Sequence, residues 1–211
     1  MSLRVYGIVM HDGNAAPRVP AGLQLHPLRE IAAVAEDGDY SSRVVEPPDI
    51  ERHLQIVADL FRQDAVLPTP VHTVFRSAEV LQRWMDLHYV ALSDALAWIE
   101  DRLAARVHIS RAHVAGDDQA LSADLAAVAA EVIRSLRRHA VASVPIRETE
   151  RDVEAPAVAT LVTSAGFLVE RELWTEFAEA VSDEQNRHDA LSVQLTGPWP
   201  PYDFVRLQFG A

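Results

Sequence analysis

Leu3 to Met10 form a nearly continuous apolar run, closed by the turn-forming His11-Asp12-Gly13-Asn14. A run of this length with a turn signal behind it reads as a strand buried in the middle of a sheet. A central strand needs neighbours and covering layers, and the chain is long enough to supply them. Its 211 residues, 49% hydrophobic and 24% charged, lie in the ordinary globular range. A chain of this size buries roughly 70% of its unfolded surface.

The rest of the sequence supplies the partners. Leu23 to Ala35 holds one or two shorter strands around Pro27, ending at Glu36-Asp37-Gly38-Asp39. Pro47-Pro48-Asp49 opens a helix with Asp49 as its N-cap, and Ile50, Leu54, Val57 and Phe61 form its apolar stripe. Val66 to Phe75 is extended but carries Pro68 and Pro70, which cannot donate to a ladder, so it belongs at an edge or begins late. Ser77 caps a long helix with a stripe of Val80, Trp84, Leu87, Ala91, Ala95 and Ile99.

Beyond it the periodicity alternates in a definite order. Ala104 to Ser110 is a strand, and Gly116-Asp117-Asp118 precedes a helix marked by Leu121, Leu125, Val128, Val132 and Leu136. Ala142 to Arg147 and Pro156 to Val169 are strands, Leu173, Trp174, Phe177 and Val181 mark another helix, and Leu191 to Leu195 a last strand. The order βαββαβ is the split βαβ arrangement of ferredoxin-like domains. The expected architecture is α+β: an N-terminal lobe over 1–76 with a partial version of that plan, a connecting helix over 77–102, a ferredoxin-like C-terminal lobe over 103–195, and a proline- and aromatic-rich tail over 196–211.

Composition removes whole classes of chemistry. There is no Cys, hence no disulfide, thiol nucleophile or thiolate metal site. There is no Lys either, since all nineteen basic residues are Arg, so no Walker-type or Schiff-base lysine exists. The eight glycines are too scattered for a dinucleotide or phosphate loop. A net charge of −12 opposes nucleic acid and anionic membrane as partners. No signal peptide or spanning segment is legible, and a cytoplasmic protein is expected.

The polar residues read mostly as structural. His108 and His113 would point to opposite faces of a continuing strand. Asp37-Gly38-Asp39 lacks the further ligands of a calcium loop and reads as an acidic turn. Asp117 and Asp118 read as caps, His72 as a polar edge-strand residue at a groove rim, and Trp84 as core. Arg134, Arg137, Arg138 and His139 complement a helix C-terminus. No catalytic, cofactor or metal site is expected.

One stretch is not generic. Thr196-Gly197-Pro198-Trp199-Pro200-Pro201-Tyr202-Asp203-Phe204-Val205 packs three prolines around aromatics. Prolines restrict the unfolded chain and so lower the entropic cost of ordering it, which predicts a folded tail closing the core or offering one face to a partner.

This segment resembles the C-terminal signature of the gas vesicle protein L/F family. Val5-Tyr6-Gly7-Ile8-Val9 is similar to that family's opening strand, Val66-Leu67-Pro68 with Thr73-Val74-Phe75 to its central segment, and Ala165-Gly166-Phe167-Leu168-Val169 with Glu170-Arg171 and Phe177 to a later one. Two departures stand out. Thr69-Pro70-Val71-His72 replaces an Arg-Phe-Gly-like sequence, and Gly166 stands where Ala is commoner. The resemblance implies a two-domain, non-enzymatic α+β accessory protein of gas vesicles, a minor structural component or chaperone-like assembly factor. It also implies cytoplasmic or vesicle-surface placement, and the major shell protein and other accessory proteins as partners. The expected contact residues are Pro198, Trp199, Pro200, Pro201, Tyr202 and Phe204 of the tail with Pro68, His72 and Phe75 of the edge segment, where a partner strand could add. The alternative is an enzyme or a small-ligand or metal-binding module on a ferredoxin-like fold.

Overall fold

The computed structural model describes residues 2–11, 18–38, 46–112, 123–146 and 161–205. The chain divides into two compact units, Met1–Asp101 with Pro200–Ala211, and Arg102–Trp199. Each has one antiparallel sheet.

In the first unit, β1 (Ser2–Met10), β2 (Gln24–Leu28), β3 (Ile31–Gly38), β4 (Val66–Pro68) and β5 (Val74–Phe75) form a sheet in the order β2-β3-β1-β4, with β5 also paired to β1. β1 is central, and residues 3–9 are all buried, as its apolar run predicts. Its register against β3 slips between Val5 and Gly7, so Tyr6 is an extra residue. The slip places Leu3, Val5 and Ile8 in one core cluster and Tyr6 and Val9 in another. Helices lie behind both faces. α2 (Ala78–Leu87) and α3 (Tyr89–Ile99) give Leu81, Met85, Leu92, Leu96 and Ile99 to the first cluster; α1 (Pro47–Phe61) gives Ile56, Val57 and Leu60 to the second. Burial on both sides is why β1 does not alternate polar and apolar residues.

The expected single helix over 77–102 is two helices, and both belong to this unit. His88 ends α2: its backbone N–H and its ring Nδ1–H both donate to the Trp84 carbonyl, at 3.1 and 2.8 Å. The His88 ring also stacks on Trp84 with centroids 4.7 Å apart. The buried faces differ from the expected stripes too. In α2 and α3, Val80 and Leu87 are exposed and Leu81 and Met85 buried instead.

α1 is likewise turned, with Ile50 and Leu54 outside and Asp49, His53, Ile56, Val57 and Leu60 inside. Its N-cap is Glu46, with Pro47 and Pro48 in the first turn where their missing N–H groups cost nothing. Asp49 sits one turn in and accepts the Glu46 N–H at 3.3 Å.

The second unit runs β6 (Arg102–Arg111), α4 (Ala123–Leu136), β7 (Ala142–Pro145), β8 (Leu161–Glu170), α5 (Trp174–Arg187) and β9 (Leu191–Trp199), with sheet order β7-β8-β6-β9. Alternation is clear in β6. Ala105, Val107 and Ile109 join Val132, Leu136, Phe177 and Val181 in one cluster, while Arg106, His108 and Ser110 take the other face. The His108 imidazole is buried and hydrogen-bonds Ser164 Oγ at 3.0 Å. The expected roles of His113, Asp117, Asp118 and Leu121, and of residues 147 and 156–160 as strand, lie outside the described residues.

Candidate functional site

Residues 196–205 of the tail are folded, and they are divided between two structural settings. Thr196 to Trp199 are the end of β9, so the last strand extends four residues past its expected limit at Leu195. Trp199 pairs with Ala104 and Thr196 with Arg106, and the register slips between them. Gly197 makes that slip possible. At φ +126° it occupies a conformation open to glycine, and a Cβ there would stand 2.9 Å from the Ala104 carbonyl oxygen and 3.2 Å from the Trp174 ring. The Trp199 indole N–H donates to Thr196 Oγ1 at 3.1 Å.

Pro200 to Val205 belong to the first unit. Backbone bonds from Tyr202 N–H to Pro200 O at 2.8 Å and from Phe204 N–H to Pro201 O at 3.0 Å fold this stretch into consecutive turns. Tyr202 packs against the cluster beneath α1, and Val205 against the one beneath α2 and α3. The burial is the reverse of what side-chain size suggests. Pro200 and Pro201 are buried, Trp199, Tyr202, Phe204 and Val205 half-buried, and Pro198 exposed.

The edge segment is more deeply enclosed than its sequence implies. Val66, Leu67 and Thr69 have no exposed surface, and Pro68 and Phe75 are buried. A partner strand has no open edge to join there without displacing what covers it. What does reach the surface is the turn Pro70 to His72, with His72 at φ +73°. The His72 Nε2 is buried without a hydrogen-bond partner. His72 is thus a turn residue and not part of a strand. Phe75 lies 5.5 Å from the Trp84 ring, and Trp84 itself packs only partly into the core.

A buried polar network, unmarked by any motif, joins the edge segment to α1. Thr69 Oγ1 donates to Val5 O at 2.6 Å, and Thr69 N–H to Tyr6 O at 3.1 Å. The Thr69 carbonyl accepts Nε2–H of His53 at 2.9 Å. Next to it, Arg4 and Asp49 form an ion pair at 3.0 Å, both nearly enclosed. Tyr6 donates to Glu36 at 2.9 Å, and Arg52 holds the other oxygen of that carboxylate at 2.6 Å.

Burial, reinforced by the nearby Arg4 and His72, lowers the His53 pKa to about 4 even though its bond to Thr69 favours the charged ring. Burial and the Glu36 bond raise Tyr6 to about 12. These groups are therefore held neutral at ordinary pH, each fixing backbone or carboxylate. The signal that could have found them is Arg4 inside an apolar strand, with Asp49 and His53 on α1 facing that strand's sheet once the α1 register is known.

In the second unit, a cleft of about 280 Å³ lies between the end of α4 and the start of α5, lined among others by Arg138, His139, Glu170 and Glu176. The cations expected at the α4 end are there, and Arg134 pairs with Glu131 one turn back. Asp37 and Gly38, expected in an acidic turn, are instead the end of β3, where Asp37 accepts from Gln24 of β2 at 3.0 Å, and Asp39 lies outside the described residues. Among the described residues, no group of three or more His, Asp or Glu side chains is placed to hold a metal ion.

The family model described as gas vesicle synthesis protein GvpL/GvpF matches residues 3–119 and 110–206. Gas vesicle protein F1 of Halobacterium salinarum is 28% identical over 186 residues, covering 87% of this chain and 81% of that protein. Gas vesicle protein F of Haloferax mediterranei is 28% identical over 187 residues, with 87% and 81% covered. Among solved structures, gas vesicle protein GvpF from Anabaena sp. PCC7120 superposes with a TM-score of 0.75 at 12% identity, over 98% of this chain and 99% of that one. GvpF from Microcystis aeruginosa gives 0.71 at 13%, with the same coverage. At such identities the structures speak for a shared α+β fold.

Proposed function

Since the chain belongs to the gas vesicle synthesis protein GvpL/GvpF family, we propose that it serves gas vesicle formation by protein–protein contact, as a minor structural component or assembly factor. In this reading it is not an enzyme. Its partners are the major shell protein and other gas vesicle accessory proteins, and it works in the cytoplasm at the vesicle surface. The second unit, with β9-β6-β8-β7 as its strand order, is read as a ferredoxin-like scaffold whose last strand ends in Pro198 and Trp199.

The observation that carries this reading is the state of the tail. Buried Pro200 and Pro201 hold Trp199, Tyr202 and Phe204 half-exposed on a segment that is already folded. Aromatic side chains supply much of the energy at protein interfaces, and a preordered segment loses little entropy when bound. Pro198 neighbours Trp199 in the chain, and the Pro70–His72 turn between Pro68 and Phe75 is read as a separate contact segment of the first unit. A wall that encloses gas needs apolar subunits, which aggregate unless covered before assembly. An acidic adaptor with a fixed aromatic face meets that need, since its net charge of −12 keeps adaptors apart.

The direct test floats vesicles from a producing lysate and asks whether the chain rises with them. Trp199→Ala is expected to weaken shell-protein pull-down, with thermal melting measured alongside to separate binding from unfolding. Unchanged melting together with unchanged pull-down removes the tail from the reading.

A further inference from the structure

The outward face of α3 carries large apolar side chains where that of α5 is polar. Of its eleven residues only Asp94 is charged. Its inner positions Leu92, Leu96 and Ile99 are buried, yet Val90 is 70% and Trp98 41% exposed, and Leu87 at the end of α2 is 80% exposed. Ala91 and Ala97 lie open between them. On α5, by contrast, the exposed positions are Thr175, Glu176, Glu179, Ser182, Asp183 and Asn186, with Arg187 at its end. Large apolar side chains clustered on an exposed helix face mark a surface that a partner covers.

The surround of this face is acidic. Asp94 stands within the face, on the row that joins Val90 to Trp98, and Asp86, Glu100 and Asp101 are exposed around it, against Arg83 and against Arg29, which bridges Asp86 at 3.3 Å. That charge decides among occupants. A second copy would bring these carboxylates against their own equivalents on a chain of net charge −12. A strand finds no free backbone groups on a helix surface, whereas a helix packs there by ridges and grooves, and Ala91 and Ala97 allow close approach.

We propose that the face of Leu87, Val90, Ala91, Ala97 and Trp98 docks an amphipathic helix of a partner protein, one with an apolar stripe flanked by Arg or Lys. This surface is distinct in sequence from the tail, and it stands whether or not the tail binds shell protein.

The test uses the full-length chain and two synthetic helical peptides that share one Leu/Ala stripe, one with Arg and Lys flanks and one with Glu flanks. Binding is read by fluorescence anisotropy of labelled peptide at low and physiological salt. The basic peptide is expected to bind, more weakly as salt rises, and the acidic one to bind about tenfold or more less tightly. Leu87→Glu and Val90→Glu, at exposed positions, are expected to keep the melting temperature and weaken the basic peptide by about tenfold or more. Mere attraction to an acidic protein predicts the opposite, since each variant adds a negative charge. Three results overturn the proposal: binding strengthened by these variants, equal or absent binding of both peptides, or a wild-type dimer in sedimentation that Leu87→Glu dissolves.

Discussion

His53 shows how one side chain ties stability to pH in this protein. Its ring donates to Thr69 O, and its Nδ1 is buried without a partner. Protonation there puts a charge into an enclosed site beside Arg4, hence a pKa near 4 against an ordinary 6.5. The unfolded chain binds this proton first. The contribution to stability is therefore complete above about pH 6.5 and is lost as pH falls toward 4, in all about 3 kcal/mol. Urea titrations across that range are expected to show the decline, and His53→Phe to flatten it. The variant starts lower, because the Thr69 carbonyl loses its donor, a change of about 1–3 kcal/mol. An equal slope in both proteins would place the titrating group elsewhere. None of this was legible in the chain. Asp49 reads as a cap and His53 as any helix residue until Arg4 and Thr69 are seen facing them. The local rule that an acidic residue after two prolines caps a helix lost to a buried ion pair only tertiary structure supplies.

At the scale of elements, helices and strands followed from periodicity, but the direction each helix faces did not. Ile50, Leu54, Val57 and Phe61 fit a helical stripe, yet Arg4 in β1 and Thr69 just past β4 turn α1 so that Asp49 and His53 face inward. The long helix divides at His88 because a ring nitrogen and a backbone N–H share the Trp84 carbonyl, a bond no propensity scale contains. Strand ends obey close approach instead. Gly197→Ala forces a Cβ to 2.9 Å from the Ala104 carbonyl in addition to a strained φ, and is expected to destabilise by about 1–3 kcal/mol. Gly22→Ala, also at positive φ but with nothing within 4 Å, serves as the control and is expected to lose only about 1 kcal/mol. Equal chemical-denaturation midpoints for the two variants would show that backbone strain, and not the contact with β6, governs Gly197.

For the whole molecule, the consequential fact is that the last described residues return to the first unit. Tyr202 and Val205 complete the clusters on the two faces of the β1 sheet. Tyr202→Ala combined with Val205→Ala is accordingly expected to raise amide exchange in β1 and β3, about 160 to 200 residues earlier in the chain, more than in β6 and β8. A rise confined to residues 200–205 would show the tail to be an appendage. The gas vesicle L/F resemblance was carried by this segment's composition, and its order was expected from its prolines. Its setting was not, because a linear reading assigns a terminal stretch to the domain it follows.

Periodicity, turn chemistry and the order of apolar runs determined from sequence that the protein is α+β with a central β1, and a rare proline–aromatic signature determined its family. Those properties are local, set by side-chain spacing along the chain. Tertiary structure alone decided which faces of α1, α2 and α3 are buried, that β4 is enclosed, and that residues 200–205 close the first unit. They depend on which polar groups must meet across the fold to be satisfied, and residues far apart in sequence reveal that requirement only when brought together.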